Sequence, residues 1–318
     1  MTPYIILLIS LGTLALILFL TTLICFLLVF YSPKRATLTP DEYEVPTGEA
    51  YRPYIEKIVN WTDEIRNMPR EEVSITSHDG LTLRGKFYEY SKDAPVEIMF
   101  HGYRGSAERD LCGGVHRCFT LGRSALIVDH RGAGESDGRI ITFGIKERID
   151  CMGWIRYAAE RFGENAKIYI TGISMGAATV MMTLCEDLPK SVIGAIADCG
   201  YTSPREIIEK VMRDIHVPPA VFYPFVKLGA RIFGGFDLEA TDSYAGVRAA
   251  RIPVLFIHGE SDSFVPCEMS TKLYNSCTAP HKKLYTVTGA EHGLAYPKSP
   301  EEYYRVIREF DRECGFDL

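Results

Sequence analysis

The chain has 318 residues, a formal net charge of −6 and near-average composition, with 47% hydrophobic and 24% charged residues. That length suits one large α/β domain plus an appendage. The balance is mildly acidic and no basic stripe is interleaved with aromatics, which argues against nucleic acid as a partner.

No charged side chain precedes Lys34, and Tyr4 to Tyr31 is almost wholly apolar, rich in Leu and Ile, with a tyrosine at each side. Such a run is long enough to cross a bilayer with some tilt, and its tyrosines sit where interfacial aromatics belong. A cleaved signal peptide is the alternative. The missing basic n-region, the length of the run and the lack of an A-x-A site oppose it. Residues 1–33 are therefore expected to be a retained single-pass transmembrane anchor. Lys34 and Arg35 follow it directly, so the positive-inside rule places the catalytic domain in the cytoplasm. Nine cysteines without a C-x-x-C pair or a regular framework agree with a reducing compartment. The sequon Asn60-Trp61-Thr62 dissents; it matters only in a translocated domain.

Residues 34–70 read as a connector. Pro40, Pro46 and Pro53 break its first half. Ile55, Ile58, Val59, Thr62 and Ile65 then recur at helical spacing, predicting an amphipathic helix whose apolar face packs on the domain or, alternatively, on the membrane surface. Residues 71–318 form the main domain. Val73-Ser74-Ile75 and residues 81–88 alternate around His78-Asp79-Gly80 as a hairpin. Strands are predicted near 96–100, 125–128, 167–171, 192–197, 253–257 and 283–287, with helices over 145–161 and 301–314 among those that separate or follow them. Strands alternating with helices imply an α/β fold with a mainly parallel sheet covered on both faces. Residues 201–250 are longer than a crossover helix and form a candidate helical cap. Phe222, Tyr223 and Phe225 within it are candidates for substrate binding. Ordinary core helices with an insertion are the alternative.

The chemistry centres on Gly172-Ile173-Ser174-Met175-Gly176, a G-x-S-x-G turn between a β-branched strand and a small-residue helix. That context predicts a strained nucleophile elbow with the Ser174 hydroxyl clear of the sheet. A serine needs a base and the base an orienting acid. His292, in Gly289-Ala290-Glu291-His292-Gly293, lies just past a strand and is the candidate base. Asp262, in the loop after the strand ending at Ile257, is the candidate acid; Asp198 is its main rival and Glu260 a lesser one. An oxyanion needs two donors. The backbone amides of Met175 and of Tyr103, in His101-Gly102-Tyr103-Arg104-Gly105, are expected to supply them, while His101 braces its loop. No H-E-x-x-H motif or paired cysteine spacing calls for a metal.

With these motifs the chain resembles the α/β-hydrolase superfamily, most closely a serine aminopeptidase-like branch in membrane-anchored form. The resemblance rests on His101-Gly102, residues 129–136 (Asp-His-Arg-Gly-Ala-Gly-Glu-Ser), the Ser174 elbow, His258-Gly259-Glu260-Ser261-Asp262 and His292-Gly293. It covers the chain from about Glu71 onward and implies an α/β-hydrolase fold and cofactor-free hydrolysis. It leaves esters, lipids, thioesters, amides and peptides open as substrates. The expected function is a membrane-anchored serine hydrolase that cleaves carboxylic esters of small acyl substrates through an acyl-serine. A peptidase or amidase, and a non-catalytic scaffold binding a partner or lipid, are the alternatives. A peptidase would call on a cap carboxylate, from among Glu206, Glu209, Asp214, Asp237 and Glu239, to hold a free amine.

Overall fold

A computed structural model describes residues 2–33, 39 and 41–316, so Lys34 and Arg35 lie outside the described residues. The first element is helix α1 (Pro3–Phe30), with proline in its first turn, where the missing N–H costs nothing. Among the described residues it is the one helix long and apolar enough to cross a membrane. Most of it is exposed, but Thr22, Phe26 and Phe30 are buried. The connector ends in a 3-10 turn over Glu49–Tyr54 and in helix α2 (Ile55–Asn67). As the apolar spacing requires, α2 buries Ile58, Trp61, Thr62 and Ile65, and it does so against the domain. The sequon thus lies in a helix with its threonine buried.

Among the described residues one sheet is built from β1 (Glu71–Thr76), β2 (Thr82–Tyr88), β3 (Val96–Phe100), β4 (Ser124–Val128), β5 (Ile168–Ile173), β6 (Val192–Asp198), β7 (Val254–Gly259) and β8 (Lys282–Val287). The strand order is β1-β2-β4-β3-β5-β6-β7-β8. The β1–β2 hairpin and the β2–β4 pair are antiparallel, and all other pairs are parallel. The helices that follow are α3 (Ala107–Thr120), α4 (Glu147–Phe162), α5 (Met175–Thr183), α6 (Pro204–Asp214), α7 (Pro219–Ile232), α8 (Ser243–Arg248), α9 (Cys267–Ser276), α10 (Ala295–Lys298) and α11 (Pro300–Glu313). One sheet face packs on α4, α5, α8 and α9, the other on α2, α3, α10 and α11. Burial on both faces explains why β3 and β4 carry no exposed residue. Strand order reverses at β3, which lies between β4 and β5. A parallel sheet opens a crevice for ligands at that point, beyond the carboxyl ends of its strands.

A third apolar cluster joins the C-terminal half of α1 to α6, α7 and the loop around Phe143. Phe26 packs at a tilt on Phe233 with centroids 5.5 Å apart, and Phe30 meets Phe236 edge-on at 5.3 Å. Backbone hydrogen bonds from Ile141 to Phe30 and from Ser32 to Arg139 pin the end of the helix.

Candidate active site

The chain turns from β5 into α5 at Ser174, whose φ of 56° and ψ of −116° put it in a region that non-glycine residues rarely occupy. The flanking glycines permit the turn. A Cβ on Gly172 would overlap the Gly176 backbone, and one on Gly176 would overlap the Phe100 carbonyl. The Ser174 amide donates to the Asp198 carbonyl at 2.8 Å, which ties the elbow to β6.

Two loops bring the remaining groups to it. The Ser174 hydroxyl lies 2.9 Å from Nε2 of His292, and Nδ1 of His292 lies 2.7 Å from Oδ2 of Asp262. Since a carboxylate only accepts, the proton of this ring belongs on Nδ1, leaving Nε2 to accept from the hydroxyl. Oδ1 of Asp262 accepts the amides of Phe264 at 3.0 Å and Val265 at 2.8 Å. Burial would raise this carboxyl, but hydrogen bonds from His258 and His292 outweigh it and hold the group down at about 2. His258 is a support that sequence reasoning passed over. Its Nε2 lies 2.8 Å from the Val265 carbonyl and 3.2 Å from Asp262, while Nδ1 faces the Ser270 hydroxyl at 2.6 Å.

The rival carboxylates bond other groups. Oδ2 of Asp198 accepts from the Tyr303 hydroxyl at 2.9 Å, and Glu260 accepts from Thr286 at 2.7 Å. His101 does brace its loop, with Nε2 accepting the His130 amide at 3.0 Å. The loop residue Gly102 stands beside the nucleophile, since a Cβ built on it would lie 3.9 Å from the Ser174 hydroxyl. Its amide is held by Asp110 at 3.0 Å. The next amide, of Tyr103, and that of Met175 at the start of α5 have no acceptor among the described residues.

A cavity of about 510 Å³ opens at Ser174 and His292 and runs under the connector, between Tyr51, Ile58, Trp61, Met99 and Tyr296. Trp61 stacks on Tyr296 with centroids 5.0 Å apart, and the Tyr51 hydroxyl donates to the His292 carbonyl at 2.7 Å. No local pattern ties Tyr51 to a residue 241 positions away. Only the apolar face of α2 signalled that this segment packs on the domain. Phe222, Tyr223 and Phe225 do not line the cavity. Tyr223 is buried with its hydroxyl on Glu239, and Phe222 belongs to the cluster around α1. The one group of three potential metal ligands among the described residues is Cys199, Asp262 and His292; its histidine and aspartate are hydrogen-bonded to each other.

The chain is 25% identical to the Bacillus subtilis protein YqkD, over 78% of this chain and 81% of that one. It is 28% identical to the lysophosphatidylserine lipase ABHD12 of Rattus norvegicus, over 71% of this chain and 59% of that one. Its fold matches that of an esterase of Pyrococcus furiosus with a TM-score of 0.67, at 24% identity, over 89% of this chain and 98% of that one. A model of the prolyl oligopeptidase family matches residues 142–315, more than half of the sequence and the stretch that carries the elbow, Asp262 and His292. The chain belongs to that family, within the α/β-hydrolase superfamily.

Proposed function

We propose that this protein is a membrane-anchored serine hydrolase that cleaves carboxylic esters with an apolar acyl group. The observation that carries the reading is the Ser174–His292–Asp262 relay, at 2.9 and 2.7 Å, opening on a largely apolar cavity. In this reading the Ser174 hydroxyl attacks the ester carbonyl while Nε2 of His292 takes its proton. Negative charge on the carbonyl oxygen is met by the amides of Tyr103 and Met175. The imidazolium then protonates the departing alkoxide, leaving an acyl-serine and a free alcohol. Water, deprotonated by the same imidazole, attacks the acyl-serine and releases the acid.

Three facts favour an ester over a peptide. The carboxylates of residues 201–250 are engaged, Glu209 with Arg205, Asp214 with Lys210, Asp237 with Arg231 and Glu239 with Lys227, while Glu206 accepts from Thr202. None of the five lines the cavity. Moreover, a lysophosphatidylserine lipase and an esterase stand among the similar proteins. A fluorophosphonate probe should label the full-length protein, and Ser174→Ala should abolish labelling without changing thermal unfolding. Short acyl p-nitrophenyl esters should be turned over with higher kcat/KM than aminoacyl anilides. Persistent labelling of the alanine variant, or faster anilide turnover, would overturn the assignment.

A further inference from the structure

The C-terminal turn of α1 and the loop beside Ser174 are joined by hydrogen bonds. A helix leaves its last carbonyls without intrahelical partners, and here each has one. Leu27 accepts from the Tyr31 amide and Phe30 from the Ile141 amide. The others are met by the loop. The Tyr103 hydroxyl donates to the Val29 carbonyl at 2.7 Å, and Nη2 of Arg104 donates to Leu28 at 2.9 Å and to Tyr31 at 2.8 Å. The helix has no basic residue in its own last turn, and Arg104 brings a cation to its negative end.

On the loop side the same bonds hold an unfavourable backbone. Arg104 has a φ of 51°, at a turn position that ordinarily takes glycine, and the turn closes through the Gly105 amide on the Gly102 carbonyl at 3.1 Å. The Tyr103 ring packs on Phe143 at 4.9 Å, and Phe143 meets Phe30 of α1 at 5.9 Å. Burial pushes the Tyr103 phenol up to about 12, which keeps it a donor. Both side chains of the turn are therefore anchored on α1, and the turn begins at Gly102, where a built Cβ would lie 3.9 Å from the Ser174 hydroxyl.

We propose that the end of the N-terminal apolar helix is a working part of the oxyanion site, with Arg104 and the Tyr103 side chain as positioning groups that aim the Tyr103 amide. The inference rests on the serine-hydrolase reading above. It means that the membrane helix is not a passive tether: with the helix unseated, the triad stays whole but the oxyanion loses one aligned donor.

The test is the double variant Tyr103→Phe/Arg104→Met in the full-length protein in detergent, assayed on p-nitrophenyl butyrate. It removes the three bonds to α1 and leaves the Tyr103 amide in the chain. We expect kcat to fall about tenfold or more, by comparison with the roughly 10²–10³ lost with a whole oxyanion donor. KM should stay within about twofold and the pH profile should be unchanged, because His292 and Asp262 are untouched; a trifluoromethyl ketone that mimics the tetrahedral state should weaken by the same factor as kcat. Arg104→Lys should recover part of the loss. If the double variant does not fold, Arg104→Met alone carries the comparison, with a loss of about threefold or more expected. A kcat equal to the parent's, or a loss that appears only in KM, overturns the inference. A parent that neither labels with fluorophosphonate nor hydrolyses the ester overturns the hydrolase reading instead.

Discussion

Asp262 divides its two oxygens between two tasks. Oδ2 faces His292 and His258, and Oδ1 takes the Phe264 and Val265 amides that fix its own loop. Asp262→Asn should therefore lower kcat by roughly 10³–10⁴, as loss of a triad acid does. Asp198→Asn, which alters a bond to Tyr303 and none to His292, should do much less, and reversed effects in steady-state kinetics would move the acid to β6. The depressed carboxyl also makes a pH statement. Its stabilisation is fully present above the ordinary carboxylate value of about 4, and it is lost as pH falls through the folded value of about 2. The stability gap between parent and Asp262→Asn, measured by denaturant unfolding, should shrink between those two values; a constant gap would contradict the assignment. Ser174, His292 and Asp262 were legible because each follows a strand that announces its carboxyl edge. His258 was not, because a histidine inside a buried strand gives no sign of what its ring faces. Glu97 is a similar case, charged in a strand of five buried residues. Its partners Arg117 and Arg123 lie on and just beyond α3.

At the scale of elements, hydrophobic periodicity foretold β1 through β8, the helices α2, α4 and α11 and the β1–β2 hairpin, with boundaries within a few residues. It did not foretell the occupant of the aromatic surface in residues 201–250. Concentrated aromatics show that something apolar covers them, not what, and here the cover is α1: Phe233 lies 5.8 Å from Phe19 and 5.5 Å from Phe26. The wall of the cavity comes instead from the connector. A Cβ on Gly113 of α3 would come within 2.8 Å of the Trp61 ring, so that indole is held from below as well as by Tyr296. Trp61→Ala should cost about 3–5 kcal/mol of stability. The space it vacates adjoins the cavity. Across p-nitrophenyl esters of increasing chain length, the optimum of kcat/KM should move to longer acyl groups. An unchanged optimum would mean that the acyl chain does not reach α2.

At the scale of the molecule, the N-terminal apolar helix and the hydrolase domain pack together among the described residues. The 28 residues of α1, at about 1.5 Å each, extend about 42 Å. A hydrocarbon core of about 30 Å leaves roughly eight residues to spare, and the end of the helix that carries Phe26 and Phe30 is the end packed on the domain. Lys34 and Arg35 follow that end in the sequence, which supports a cytoplasmic orientation for the domain. Glu49 is exposed in the connector, so Glu49→Cys should add no labelling by a membrane-impermeant maleimide in intact cells and should add it after permeabilisation. Labelling of intact cells would place the hydrolase on the outer side.

If α1 crosses a bilayer, its surplus length would make the protein a gauge of bilayer thickness. Hydrocarbon and the hydrolase compete for the same last turns of α1, and each ångström of mismatch costs a fraction of a kilocalorie. The Leu28, Val29 and Tyr31 carbonyls bond to Tyr103 and Arg104; a thin bilayer would leave them there, and a thick one would draw them toward lipid. Reconstituted in phosphatidylcholines of increasing acyl length, the protein should lose kcat on a water-soluble ester while labelling by fluorophosphonate stays unchanged. Equal rates across the series would show that the domain grips the helix more firmly than the membrane does. A protein built this way would work at different speeds in membranes of different thickness without any change in its own amount.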